Sequence, residues 1–400
     1  MKRTVLVTNG RLVMPDRVVD PGEVLLEDGV IQYAGKCAEH RGRPAERVID
    51  AQGGYIMPGF IDLHSDAIEK EIEPRPGAFF STELAFSELE KKLAGQGITT
   101  MYHSFSFAGA EWGVRQDAGA AECIRSIAGA VQEATLIRNK IHLRYEITNY
   151  KAVPIVRELI YEGRIDLLSF MDHTPGQGQY PTVESYRKYM EKTYHTAPDE
   201  TDRILAIKEE GRNKAGESVG ILSTAALAAG IPLASHDDDT VEKVEYYHSQ
   251  GVTISEFPIN VATARAARDA FLDVCVGAPN IVRGGSTGNG LRAADAIAAG
   301  AANILCSDYY PPAILHAVFK LASGALGLAE AVAMATAAPA RALGLRDLGD
   351  LSEGNTGDVI VVHVRGQVPV VTSTIVGGVP VYDITYRGAF GSAAKAQPAC

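Results

Sequence analysis

The stretch 57–66 ends a short apolar segment with two side chains that can bind a metal ion. His64 and Asp66 are two residues apart, and such residues point to the same face of a strand. An imidazole nitrogen and a carboxylate oxygen could therefore bind one divalent ion. A buried strand that ends in a polar turn also produces His-x-Asp by chance, so these two residues alone leave both interpretations open.

Further polar side chains follow apolar runs at points where strands would end. They are Glu146, Asp172 with His173, His236 with the aspartates at 237–239, and Asp308. The carboxyl ends of the strands form the catalytic face of a parallel barrel, so closure would bring these side chains together. The pattern predicts a metal site, and its mixture of imidazoles and carboxylates suits Zn, Mn, Fe or Ni better than Ca. The three adjacent aspartates more often orient a ligand or bind solvent than coordinate a metal directly.

The elements that would position these residues are visible as alternating strand and helix signals. Residues 57–345 contain roughly eight such units and predict a (β/α)8 TIM-like barrel. Short alternating runs in 1–56 and 346–385 predict a small β-sandwich built from both termini. The polar span 172–215 is long for a loop and predicts helices of a lid. Residues 386–400 are small and polar, and we expect them to be disordered.

Composition narrows the class of protein. The chain has 400 residues, 46% hydrophobic and 22% charged, and a net charge of −11. The acidic balance argues against nucleic-acid or anionic-membrane partners, which need basic faces. The five cysteines are scattered, which is typical of reduced thiols in a cytoplasmic protein. We expect no secretory signal and no membrane span.

Several longer segments resemble the amidohydrolase superfamily, and within it the triphosphate diphosphatases of the phosphonate C–P lyase pathway. The segments are GFIDLHSD at 59–66, HLRYE at 142–146, SFMDHTPGQGQY at 169–180, ASHDD at 234–238, GAPNIVRGGSTGN at 277–289 and SDYYPPAILHA at 307–317. The resemblance covers residues 1–383. The usual first motif of the superfamily is His-x-His, so Asp66 is a departure.

The resemblance implies a role for each strand-end residue and two divalent metal ions per subunit. His64 and Asp66 would hold one metal, His173 and His236 the second, and Glu146 would bridge them. Asp308 would bind metal and take the proton from the attacking water. The implied reaction is hydrolysis of α-D-ribose 1-methylphosphonate 5-triphosphate by a metal-bound hydroxide, which gives α-D-ribose 1-methylphosphonate 5-phosphate and pyrophosphate.

A polyphosphate substrate needs cations and backbone donors. The segment 280–289 contains Arg283, Gly284, Gly285 and Ser286, whose side chains and N–H groups could approach an anion. Arg75 stands between two prolines and could clamp a phosphate or form a surface ion pair. Arg144 shares a strand face with Glu146, and it could bind phosphate or pair with Glu146.

Two alternatives to the phosphohydrolase remain. Most relatives in the superfamily cleave C–N bonds, as deacetylases, deaminases or cyclic amidases do, and some have become non-catalytic scaffolds. The expected partner is a small phosphorylated substrate, and a homodimer is a further expectation. His103 ends a predicted strand and could reach the site, whereas His142 is predicted to begin its strand and to be structural.

Overall fold

The computed structural model describes residues 3–37, 45–109, 115–132, 134–176, 180, 182–194, 196–286 and 290–387. Most of the tail that we expect to be disordered, 388–400, and residues 287–289 of the glycine-rich segment lie outside these ranges. Within the part of the chain that is described, no helix is both long and apolar enough to cross a membrane.

The chain begins with five short strands. They are β1 (Thr4–Val13), β2 (Val18–Glu27), β3 (Val30–Lys36), β4 (Arg47–Asp50) and β5 (Tyr55–Pro58). The turn between β2 and β3 places Asp28 and Gly29 at φ values of +50° and +85°, as tight hairpin turns require.

Eight parallel strands follow and form the barrel. They are β6 (Phe60–Ser65), β7 (Ile98–Phe107), β8 (Arg138–Glu146), β9 (Leu167–Met171), β10 (Leu233–His236), β11 (Ile254–Glu256), β12 (Asp273–Gly277) and β13 (Ile304–Cys306). β6, β7 and β9 are buried along their whole length, because barrel strands are covered on both faces. A bridge between Ser65 and Asp308 joins the last strand to the first. There the Asp308 N–H donates to His64 O at 3.0 Å.

Helices alternate with the barrel strands along the chain. They are α1 (Ala67–Ile72), α2 (Thr82–Ala94), α3 (Asp117–Ala130), α4 (Val153–Tyr161), α5 (Val183–Tyr194), α6 (Pro198–Arg212), α7 (Ala215–Ala228), α8 (Val241–Ser249), α9 (Val261–Asp269), α10 (Ala278–Arg283), α11 (Ala293–Ala298), α12 (Ala313–Ala322), α13 (Leu328–Ala333) and α14 (Ala337–Ala342). Helices α2, α8 and α9 are capped at their N-termini by Ser81, Thr240 and Asn260, whose side chains accept hydrogen bonds from backbone N–H groups. The span predicted as a lid thus contains α5 and α6.

The chain ends in three strands, β14 (Val359–Arg365), β15 (Val368–Val376) and β16 (Val379–Asp383). β14 pairs antiparallel with β5, so strands from both termini form one eight-stranded mixed sheet. This sheet has an apolar cluster of its own, which includes Val7, Val24 and Val361. The predicted fold class, a (β/α)8 barrel with a β unit built from both termini, is confirmed.

Candidate metal centre

The carboxyl ends of the barrel strands bring two groups of potential ligands together. The first consists of His64, His236 and Glu256, and the second of His173, His236 and Asp237. In each group one donor atom per residue lies within 4.8 Å of the others. His236, which has two ring nitrogens, belongs to both groups. Imidazole nitrogens with carboxylate oxygens form the donor set that Zn and related transition metals prefer.

His64 and Glu256 form the buried floor of the site. His64 Nδ1 lies 2.9 Å from Glu256 Oε1, and both side chains are inaccessible to solvent. Burial, followed by the Arg144 charge, lowers the pKa of His64 well below its ordinary value, so its imidazole is neutral, as a metal ligand must be. Among the described residues, buried Glu256 Oε2 has no hydrogen-bond partner. Such an orphaned acceptor atom fits a divalent cation.

The second group surrounds Asp237. Asp237 Oδ2 lies 3.2 Å from His236 Nδ1 and 3.7 Å from His173 Nε2. Burial alone would raise the pKa of Asp237, but the two histidines lower it well below its usual range. Burial alone would lower the pKa of His173, yet Asp237 and Glu146 raise it to about 9. Without metal this corner therefore holds an ion pair, and metal binding would displace its proton.

Glu146, predicted as the bridging ligand, lies in neither group of donor atoms. Its Oε2 is 3.2 Å from Nδ1 of His173, which is the nitrogen that faces away from Asp237. Lys208 Nζ approaches the same oxygen at 3.3 Å. Burial would raise the pKa of Glu146, but Lys208 and His173 lower it to about 2. In this structure Glu146 orients His173, and its role as a bridge stays a prediction.

Asp66 and Asp308 lie side by side, also outside the two groups. The Asp66 carboxylate faces Arg115 Nη2 at 3.5 Å and Lys70 Nζ at 3.6 Å. Asp308 has a φ of +56°, and burial, with Asp66 as the next cause, raises its pKa to about 7. A carboxyl group with such a pKa suits proton transfer at neutral pH. Metal binding by either aspartate stays a prediction.

Arg144 points into the barrel and not at Glu146. Its Nη2 lies 3.3 Å from His236 Nε2, and its buried Nε has no hydrogen-bond partner among the described residues. The ion pairs of Glu146 in the described structure are with His173 and Lys208. Of the two roles left open for Arg144, the structure favours a guanidinium that is available to an anion inside the barrel.

The glycine-rich segment does not offer all the donors that were expected. The N–H groups of Gly284 and Gly285 both donate to Asn280 O, at 2.9 and 3.0 Å, because Gly284 ends α10 in the left-handed conformation. In this structure these two amides are used to end the helix, and anion binding by Gly284 and Gly285 stays a prediction. A Cβ atom at Gly290 would lie 3.4 Å from Ser286 Oγ, and contact of Ser286 with substrate stays a prediction.

The two remaining predicted arginines lie at the surface. Exposed Arg283 donates to Tyr309 Oη at 3.3 Å, beside Asp308. Arg75 is exposed in a tight turn that a hydrogen bond from Ala78 N to Arg75 O closes. Contact of either residue with substrate stays a prediction.

Two histidine assignments change. His103 contacts Asn139 Oδ1 at 2.8 Å and the Phe86 ring of α2, so it faces the helices and not the site. His142 lies in the middle of β8, not at its start. Its ring packs edge-on against the ring of His64, with the two ring centroids 4.9 Å apart. Its Nε2 is 2.8 Å from Ser169 Oγ and 3.8 Å from Glu256 Oε2. It therefore supports the floor of the site.

Sequence reasoning missed Glu256 and Lys208 and set Asp237 aside. Glu256 ends β11, so the same strand-end pattern that found His236 could have found it. Lys208 lies within α6 next to Glu209 and Glu210, where a solvated charge is the ordinary expectation.

Solved structures share the fold of this chain, and part of its sequence matches a known family. The amidohydrolase family model matches residues 189–381. Among solved structures, 5-methylcytosine deaminase from Klebsiella pneumoniae liganded with phosphonocytosine superposes with a TM-score of 0.64 at 17% identity, covering 96% of this chain and 100% of that one. A. niger ochratoxinase gives 0.64 at 12% identity, covering 96% of each chain. At these identities the structures share the fold alone.

A relative in sequence is the alpha-D-ribose 1-methylphosphonate 5-triphosphate diphosphatase of Escherichia coli (strain K12). It is 33% identical over 373 residues, which cover 90% of this chain and 95% of the relative. This chain therefore belongs to the amidohydrolase superfamily and is an enzyme of that superfamily, as predicted.

Proposed function

We propose that the enzyme hydrolyses α-D-ribose 1-methylphosphonate 5-triphosphate to α-D-ribose 1-methylphosphonate 5-phosphate and pyrophosphate. The observation that carries this proposal is the match to the diphosphatase along nearly its whole length. Arg144 supports it, because a guanidinium among the candidate ligands suits phosphoryl oxygens, whereas a neutral amide needs no such cation. The proposed location is the cytoplasm.

The residues have separate tasks in this reaction. His64, His173, His236, Asp237 and Glu256 would hold divalent metal. When bound, such ions lower the pKa of water towards about 7 and neutralise charge on phosphoryl oxygens. Asp308 accepts a proton from the attacking water as the phosphoanhydride bond breaks and pyrophosphate leaves. Arg144 binds phosphoryl oxygens and orients the chain of phosphates.

The test is hydrolysis by metal-reconstituted enzyme of the ribosyl triphosphate, ATP, and a panel of N-acyl compounds and cyclic amides. We expect pyrophosphate from the ribosyl triphosphate. Asp308→Asn should lower this rate by about 100-fold or more, and Asp295→Asn, at an exposed position on α11, should leave it unchanged. Turnover of amides without pyrophosphate would overturn the proposed substrate and favour a C–N hydrolase.

A further inference from the structure

Helix α6 approaches the end of β8 unusually closely. A Cβ atom at Gly211 would lie 1.9 Å from the carbonyl oxygen of Thr148, a distance that no side chain tolerates. Glycine therefore lets the helix backbone rest on the residues that follow β8. One turn earlier in α6, Lys208 is brought over Glu146.

Lys208 is buried in this contact. It is 4% exposed, and its Nζ lies 3.3 Å from Glu146 Oε2. Among the described residues its Nζ has no partner with hydrogen-bond geometry. A buried ammonium is costly unless it has a compensating charge, so its position indicates a specific electrostatic task.

Glu146, which contacts Lys208, also contacts His173. Glu146 Oε2 lies 3.2 Å from the ring nitrogen Nδ1 of His173. The backbone N–H of His173 donates to both carboxylate oxygens of Glu146 at 3.3 Å. The opposite ring nitrogen faces Asp237 in the second ligand group. A carboxylate behind an imidazole fixes the tautomer and the direction of the ligating nitrogen.

The contacts of Glu146 explain why a lysine lies here. Its ion-pair partners in the described structure are His173 and Lys208. His173 belongs to the second ligand group, so Lys208 is the partner of Glu146 that is not itself a candidate ligand. Without Lys208, the fully buried carboxylate of Glu146 would lose a compensating charge.

We infer that Lys208 is a positioning residue of the metal centre, acting from α6 through Glu146 on His173. The inference rests on the proposed metal-dependent function and makes α6 a part of the centre. The predicted closing movement of 172–215 is not needed for it.

The test measures zinc affinity by competition with a chromophoric chelator, using metal-free full-length protein. Lys208→Met should raise the Kd for zinc by about 10- to 100-fold. The control is Lys214→Met, at an exposed lysine that lies over the Tyr150 ring, and its Kd should stay within about twofold. The absorption spectrum of the cobalt-loaded protein should also change in Lys208→Met, because the direction of His173 changes.

A double-mutant cycle separates charge from packing. In Glu146→Gln the charge that Lys208 balances is gone, so adding Lys208→Met should change the Kd by no more than about twofold. An equal loss in both backgrounds would overturn the inference, as would a folded Lys208→Met with the zinc Kd of the unmodified enzyme. If Lys208→Met does not fold, Gly211→Ala, which displaces α6, must weaken zinc binding for the inference to stand.

The outcomes distinguish the two proposals. An unmodified enzyme that binds no zinc, manganese, iron or nickel would overturn the inference and the metal-dependent function together. An unmodified enzyme that binds zinc but releases no pyrophosphate would overturn the proposed substrate, while the Lys208 cycle would still decide the inference.

Discussion

Glu256 is the residue whose removal should most directly damage the floor of the site. Its Oε1 contacts His64 and its Oε2 has no hydrogen-bond partner among the described residues. Glu256→Gln keeps the shape and removes the charge, so zinc affinity should fall by more than about 10-fold with the fold retained. Chelator competition measures this, and exposed Glu245→Gln on α8 is the matched control. Unchanged affinity in Glu256→Gln would show that the first group binds no metal.

His103 should control part of the acid sensitivity of the fold. It is buried, and burial lowers its pKa from 6.5 to about 4 despite the Asn139 contact. Between these values the unfolded chain binds a proton that the folded chain does not. The free energy of unfolding should therefore decrease by roughly 3 kcal/mol as pH falls from about 6.5 to about 4.

His103→Gln removes this titration and can keep a hydrogen bond to Asn139. Urea denaturation of metal-free protein at pH 7 and at pH 4 should therefore show a decrease that is smaller in the variant by about that amount. The same decrease in both proteins would mean that His103 is already charged, or exposed to solvent, in the folded state.

At the residue scale the sequence predicts which strand ends carry ligands better than how their side chains point. His64, His173 and His236 were found because each follows an apolar run, and they lie in the two groups. Asp66 and Glu146 were found by the same pattern but contact Arg115 and His173, respectively. The spacing of residues in the sequence does not predict which way a side chain points once its strand has ended.

At the element scale, Gly211 should be the most restrictive position of α6. Gly211→Ala forces the helix away from Thr148 and should lower the free energy of unfolding by about 1–3 kcal/mol. Gly220→Ala on α7 meets nothing within 4 Å and should raise it by up to about 1 kcal/mol. Thermal and urea denaturation of the two variants measure both effects. A neutral Gly211→Ala would mean that α6 is not held against β8.

The element boundaries that were mispredicted have tertiary causes. His142 was predicted to begin its strand, whereas β8 begins four residues earlier, at Arg138. The polar start of β8 is stabilised by distant partners, since Asn139 bonds Glu90 and Lys140 bonds Asp166. A local sequence pattern does not reveal contacts with residues that are distant in the chain. This is why the start of the strand was predicted too late and His142 was placed at its beginning.

At the scale of the whole molecule, the alternation of strand and helix signals and the β runs at both termini were enough to predict the architecture. They predicted a β-sandwich built from both termini, but not that its strands lie in a single eight-stranded sheet, or how that sheet meets the barrel. Arg138 at the start of β8 pairs with buried Asp358 just before β14, and Thr374 of β15 donates to Ala94 O at the end of α2. These links depend on chain segments more than 200 residues apart.

The most direct test of the proposed metal centre is an anomalous diffraction map, at the zinc absorption edge, from crystals of the zinc-loaded enzyme. We expect an anomalous peak in the first ligand group, in the second, or in both. The distance from zinc to the histidine nitrogens should be about 2.0–2.1 Å. Zinc bound elsewhere, with both groups empty at saturating metal, would contradict the metal centre and the hydrolytic mechanism that depends on it.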